Sequence, residues 1–142
     1  MKTVAERRFD DAEALRNTNA NARANGTAYL VGFVIEILLK AKLVEKYTSI
    51  AKLPQQALKD DQKKIWSLIW RQHDLEEMLS QLSELEAYLK TRSERDNYDY
   101  LGHLKGICAA WTIHARYSSR TMLMDEAAEL LQRVRKLKEL LK

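Results

Sequence analysis

An all-helical bundle of about five helices is the fold this sequence predicts, and two observations predict it. Four glycines and one proline in 142 residues are too few for an all-β chain, which turns often, or for alternating strand–helix units. Apolar residues also recur at three- and four-residue spacings along most of the chain, the period of a helix with one buried face. A chain of 142 residues is sized for a single domain with its own core, without help from metals or disulfides. With 46% apolar and 31% charged residues, it reads as globular rather than disordered.

The elements follow in order. Thr3 to Asn21 reads as a weakly amphipathic helix, with Val4, Ala12 and Leu15 on its stripe and Phe9 and Ala5 beside them. Four asparagines and a glycine between Asn17 and Gly26 favour turns. They place a break near Asn25-Gly26, with Thr27 as N-cap. Ala28 to about Tyr47 is the strongest helix. Leu30, Val34, Ile37, Leu38 and Ala41 form one face, and Phe33, Leu43 and Val44 widen it almost all round, so the helix must be packed on several sides. Gly32 inside it lowers helix propensity by about 1 kcal/mol, which points to close approach of a neighbouring helix.

Thr48 to Gln56 is a connection marked by Leu53-Pro54. A polar stretch leads into Ile65, Trp66, Leu68, Ile69 and Trp70, which either cover the core or form an exposed binding surface. Asp74 with Glu77 three residues on reads as an N-cap and capping box, with His73 steadying the turn before it. Leu75, Met78, Leu79, Leu82, Leu85 and Leu89 supply the buried stripe of one helix from Asp74 to about Lys90. Thr91 to Tyr100 reads as a loop or frayed helix end. A fourth core helix is predicted from Leu101 to Tyr117. After a break at Ser118 to Thr121, a last helix, capped by Thr121 or Asp125, runs to Leu141 and buries Leu123, Ala127, Leu130, Leu131, Val134, Leu137 and Leu141. Arg133, Arg135, Lys136 and Lys138 lie in its last turns, where the helix dipole favours positive charge.

The net charge of +4 suits an anionic partner such as nucleic acid and equally an ordinary soluble surface. Met1 to Asp11 is charged and lacks the apolar core of a secretory signal. The most apolar run, Ala28 to Val44, is short for a membrane span and interrupted by Glu36, Lys40 and Lys42. No membrane partner is expected, and the expected location is cytoplasmic. Cys108, the lone cysteine, reads as a small buried hydrophobe.

Glu36 is the residue with most to say. It stands among Phe33, Val34, Ile35, Ile37, Leu38 and Leu39, and a carboxylate buried there needs a partner. Arg116 or His114 on the fourth core helix is the expected one. The group is then either a salt-linked piece of scaffold or part of a ligand-binding cleft, and Lys40 shares its face one turn on. His114 has the chemistry of a general acid or base. Only three histidines occur, without metal-ligand spacing and without a second cysteine, so no metal and no cofactor are expected. Aromatic and cationic residues mix at Arg92 to Tyr100 and at Arg116 to Arg120, a combination used both for base stacking with phosphate contacts and for protein interfaces.

Asp11-Ala12-Glu13-Ala14-Leu15, followed by Ala28-Tyr29-Leu30-Val31-Gly32-Phe33-Val34-Ile35-Glu36-Ile37-Leu38-Leu39-Lys40-Ala41, resembles the first two helices of HEPN domains (higher eukaryotes and prokaryotes nucleotide-binding). His73-Asp74-Leu75 resembles the start of their third core helix, with Gln72 where glycine is usual. Trp111 and Arg116-Tyr117 resemble the element closing the next. The resemblance spans about residues 9 to 140. It implies an up-and-down bundle of four to five helices that usually dimerises. Many members are metal-independent endoribonucleases of toxin–antitoxin or phage-defence systems, others partner a nucleotidyltransferase, and some only bind. The ribonucleases carry an arginine, then four to six residues, then the catalytic histidine. Ahead of His114 those positions hold Ala109, Cys108 and Ile107, and none is basic.

The expectation is therefore a noncatalytic HEPN-like module that binds a nucleotide, an RNA or a protein through Glu36, Lys40, His114, Arg116 and Tyr117. A homodimer is expected, and a nucleotidyltransferase or an antitoxin is a candidate partner. One alternative is a metal-independent ribonuclease toxin relying on His114 and Arg116. Another is a structural dimerisation module with Trp66 and Trp70 at the interface.

Overall fold

The computed structural model describes residues 1–16, 24–111 and 124–142. Among the described residues the chain is a helical bundle with no strand: α1 (Lys2–Arg16), α2 (Ala24–Lys46), α3 (Thr48–Ala51), α4 (Asp60–Trp70), α5 (Leu75–Ser80), α6 (Ser83–Asp96), α7 (Tyr100–Ala110) and α8 (Met124–Leu141), with a 3₁₀ turn at Gln55–Ala57. No described helix is long and apolar enough to cross a membrane.

α2 is the axis, packed against α1, α3, α4, α5 and α8. From Val31 to Leu39 every side chain except Phe33 is buried, as its all-round apolarity requires. α1 runs antiparallel to α2, with Lys2 paired to Glu45 at 3.3 Å, and antiparallel to α8, through Lys142–Glu6 at 3.0 Å and Arg135–Glu13. α2 and α8 are therefore parallel. The buried face of α1 is Ala5, Phe9 and Ala12, while Val4, expected on the stripe, is 44% exposed.

Several boundaries differ from expectation, each for a local reason. The break expected at Asn25-Gly26 is helix. Gly26 serves packing there, because a Cβ on it would meet Leu15 Cδ2 of α1 at 2.8 Å. Thr27, expected to cap, is fully buried inside α2, and its Oγ1 has no hydrogen-bond partner among the described residues. The single helix expected from Asp74 to Lys90 is two. The chain tightens at Gln81 and Leu82, whose N–H groups donate to Met78 O and Leu79 O, and Lys46 Nζ takes the freed Gln81 carbonyl at 2.7 Å. The leucine stripe stays buried through the break.

α6 then continues to Asp96, into the stretch expected as a loop or frayed helix end, helped by the i,i+4 pair Arg92–Asp96. It stops at Asn97, which takes the left-handed conformation (φ 51°, ψ 47°), as asparagine tolerates at a helix end. Asp99 caps α7 by accepting from Gly102 N. That helix ends at Ala110; residues 112–117 of its expected span lie outside the described residues. Trp66 and Trp70 divide between the two expected roles. Trp66 Nε1 donates to Leu53 O and pins the connection, Ile65, Leu68 and Ile69 join the core, and Trp70 is 48% exposed.

Candidate functional site

Tyr29, Gly32, Glu36 and Lys40 follow one another along α2 at spacings of three and four, so they form one stripe on a helix. Glu36 is the centre of it, 1% exposed. Among the described residues, three donors from three parts of the fold meet its carboxylate. Lys40 Nζ lies 2.9 Å from Oε1, one turn along the same helix. His73 Nδ1 lies 2.6 Å from the same oxygen, delivered by the turn between α4 and α5. Trp111 Nε1 donates to Oε2 at 3.4 Å from the residue that closes α7. A carboxylate only accepts, so the ring nitrogen of His73 that faces it carries the proton.

The turn that delivers His73 is built locally. Gln72 N donates to Ser67 O and Gln72 Nε2 to Ser67 Oγ, which closes the end of α4. Asp74 then caps α5 by accepting from Glu77 N at 3.0 Å. The capping box is half formed, because the Glu77 carboxylate turns instead to Lys64, at 2.6 Å, and ties α4 to α5. That Lys64 contact and the Gln81 amide hold the Glu77 carboxyl below its usual range.

Gly32 explains how Trp111 reaches Glu36. A Cβ on Gly32 would stand 2.2 Å from Trp111 Cε3, so the indole lies directly on the backbone of α2. The close approach inferred for this glycine is therefore made by one aromatic ring at a helix end. Tyr29 completes the wall, its ring centroid 5.3 Å from that of Trp111 and its side chain 45% exposed. The side chain of His73 is 45% exposed. The arrangement thus couples a buried charge to an exposed imidazole edge and an exposed aromatic, polar and apolar contacts on one face.

Of the expected site residues, Glu36 and Lys40 are brought together. His114, Arg116 and Tyr117 lie outside the described residues, as does the Arg116 to Arg120 patch. The expected pairing of Glu36 with Arg116 or His114 therefore also lies outside the described residues; among those described, Glu36 is met by His73, Lys40 and Trp111. His73, read from sequence as a turn stabiliser, bonds Glu36 across the fold, 37 residues away. The Arg92 to Tyr100 mixture is largely engaged internally: Tyr100 Oη donates to Asp96, and Lys136 Nζ sits 3.9 Å over the Tyr98 ring. Cys108 is buried and its thiol is pushed up to about 12, chiefly by burial, which leaves it inert at neutral pH. Among the described residues no group of histidine, cysteine or acidic side chains is placed to hold a metal. No protein-family model, no curated protein and no solved structure matches this chain.

Proposed function

We propose that this chain is a noncatalytic HEPN-like binding module, and that it takes its ligand, a nucleotide or an RNA before a protein partner, at the face formed by Tyr29, His73 and the Glu36 cluster. The observation that carries the reading is the carboxylate of Glu36, 1% exposed and shared by Lys40, His73 and Trp111. Buried ion pairs of this kind are seldom better for stability than apolar packing of the same volume. Their recurrent use is to fix polar groups in one geometry, and here the group fixed is the half-exposed imidazole of His73, on the Glu36 face of α2 that two turns away carries the exposed Tyr29. Aromatic faces and imidazole edges are the groups with which proteins hold unpaired bases. The absence of a basic residue at Ile107, Cys108 and Ala109, the positions separated from His114 by four to six residues, supports binding without cleavage, since the transferring phosphate would lack its usual stabilising charge.

The test is fluorescence anisotropy with labelled single-stranded RNA, and with a labelled nucleotide, on wild type, Tyr29→Ala and His73→Ala. Saturable binding weakened about tenfold in each variant is the expected result. Equal binding by all three proteins would overturn the site. Gel analysis of the same mixtures with EDTA present separates binding from the ribonuclease reading: cleavage lost in His114→Ala or Arg116→Ala would replace the present proposal with that one. A structural dimerisation role draws on a different observation, the 48% exposure of Trp70, and predicts that Trp70→Ser converts a dimer to a monomer in sedimentation velocity.

A further inference from the structure

We propose that the corner where α7 meets α8 is an acid-sensitive latch: protonation of the His103 imidazole releases the first turn of α7 from the middle of α8 and leaves the rest of the bundle folded. The device lies apart from the Glu36 cluster and does not rest on the reading of that cluster as a binding face. His103 stands in the first turn of α7, a helix packed against α5, α6 and α8. The Tyr98 ring meets the imidazole edge-on, with centroids 5.0 Å apart, and Lys136 of α8 lies 3.9 Å over that same Tyr98 ring. One chain of contacts thus runs from α7 through the α6–α7 turn to α8. His103 Nδ1 is buried and has no hydrogen-bond partner among the described residues. A neutral imidazole tolerates this, because its one proton can sit on Nε2. The imidazolium carries an N–H on both nitrogens, and a buried donor without an acceptor destabilises the closed contact.

The charges around the ring act in the same direction. α8 brings Arg133 and Lys136 toward it with one carboxylate, Glu129, and the α6–α7 turn brings Asp99. Both carboxylates are engaged, Glu129 by Arg133 at 2.5 Å and Asp99 by Gly102 N at 2.9 Å. On α6, Arg92 and Asp96 pair with each other at 3.0 Å. A cation formed on His103 therefore meets two cations of α8 across the junction, and burial and Arg133 together keep the folded ring below its ordinary 6.5. Opening the corner returns the ring to water and to that ordinary value. The open form binds the proton more tightly, so it gains on the closed form as pH falls below 6.5, by up to about tenfold per pH unit. The change stays local, because Leu104 and Ile107 of α7 and Leu131, Val134 and Leu137 of α8 hold the core beneath the corner and carry nothing that titrates.

The experiment is amide hydrogen exchange followed by NMR at a series of pH values on either side of 6.5, corrected for intrinsic exchange. It is run on the wild type, on His103→Gln and on the double variant Arg133→Gln/Lys136→Gln, whose spectra also report the fold. In the wild type, protection in the first turn of α7 and the middle of α8 should fall below pH 6.5 by up to about tenfold per unit, while α1 and α2 keep theirs. His103→Gln, which has no proton to gain, should keep its protection level across the range. The double variant retains His103, whose ring resonances should titrate at higher pH than in the wild type, and its loss of protection should shrink accordingly. The same loss in His103→Gln, an equal loss in α1 and α2, or an unchanged His103 titration in the double variant would each overturn the latch.

Discussion

Glu36 and Glu84 each hold a lysine at hydrogen-bond distance, Lys40 at 2.9 Å and Lys46 at 3.1 Å, yet the side chain of one is 1% exposed and that of the other 74%. Near-identical geometry in the two places is worth very different amounts. In water the second pair competes with solvent and salt, and its loss is made good at once. Inside the bundle water does not make good a missing partner, and the carboxylate of the first pair also ties α2 to the α4–α5 turn through His73 and to the end of α7 through Trp111. Distance alone does not rank polar contacts; burial does.

Glu36→Ala is the variant that should widen the contrast most. It leaves Lys40, His73 and the Trp111 indole without their acceptor, and urea unfolding should register a loss of about 3 kcal/mol. The figure stands at the lower end for buried pairs because the His73 side chain, 45% exposed, retains access to water. Gly32→Ala attacks the same cluster through shape. Its Cβ would overlap Trp111 Cε3, 2.2 Å away, and the net cost should be about 1–2 kcal/mol after the gain in helix propensity, with a change in tryptophan emission. Asp99→Ala, which removes the cap accepting from Gly102 N, should cost about 1 kcal/mol by the same measurement.

Smaller effects come from titration. Burial, then the Arg133 guanidinium, hold the His103 imidazole below its ordinary 6.5, so the unfolded chain binds the proton more tightly than the folded one. The stability this contributes at neutral pH declines as pH falls through 6.5 toward the lower folded value. His103→Gln should flatten that part of the stability–pH curve. Glu84→Ala should leave the urea midpoint where it was. A large shift there, or none for Glu36→Ala, would invert the ranking by burial.

The sequence disclosed these regions unequally. Glu36 stood out because a charge amid six apolar neighbours has no inexpensive explanation, and the leucine stripe from Leu75 to Leu89 marked its own burial. His73 did not stand out. Its bond to Glu36 joins residues 37 apart, and no spacing rule reaches across two connections, whereas the adjacent Asp74 cap gave a sufficient local reason for it. Gly26 and Gly32 were legible only as departures from helix propensity. Which side chain needs the room, Leu15 in one case and Trp111 in the other, is decided by packing. The division of α5 from α6 was hidden because a stripe that stays in register carries no mark of a carbonyl lost at Gln81 and taken up by Lys46.

The parallel course of α2 and α8 bears on the chain's basic character. Aligned peptide dipoles leave partial negative charge where each helix ends, and here two such ends are gathered on one side of the bundle, a like-signed arrangement that antiparallel neighbours avoid. Lys46 in the last turn of α2, and Lys138 in the last turn of α8, sit where that charge needs an answer. Part of the positive balance is thus a counterweight internal to the fold, and a basic isoelectric point in a chain of this topology is no measure of its appetite for polyanions.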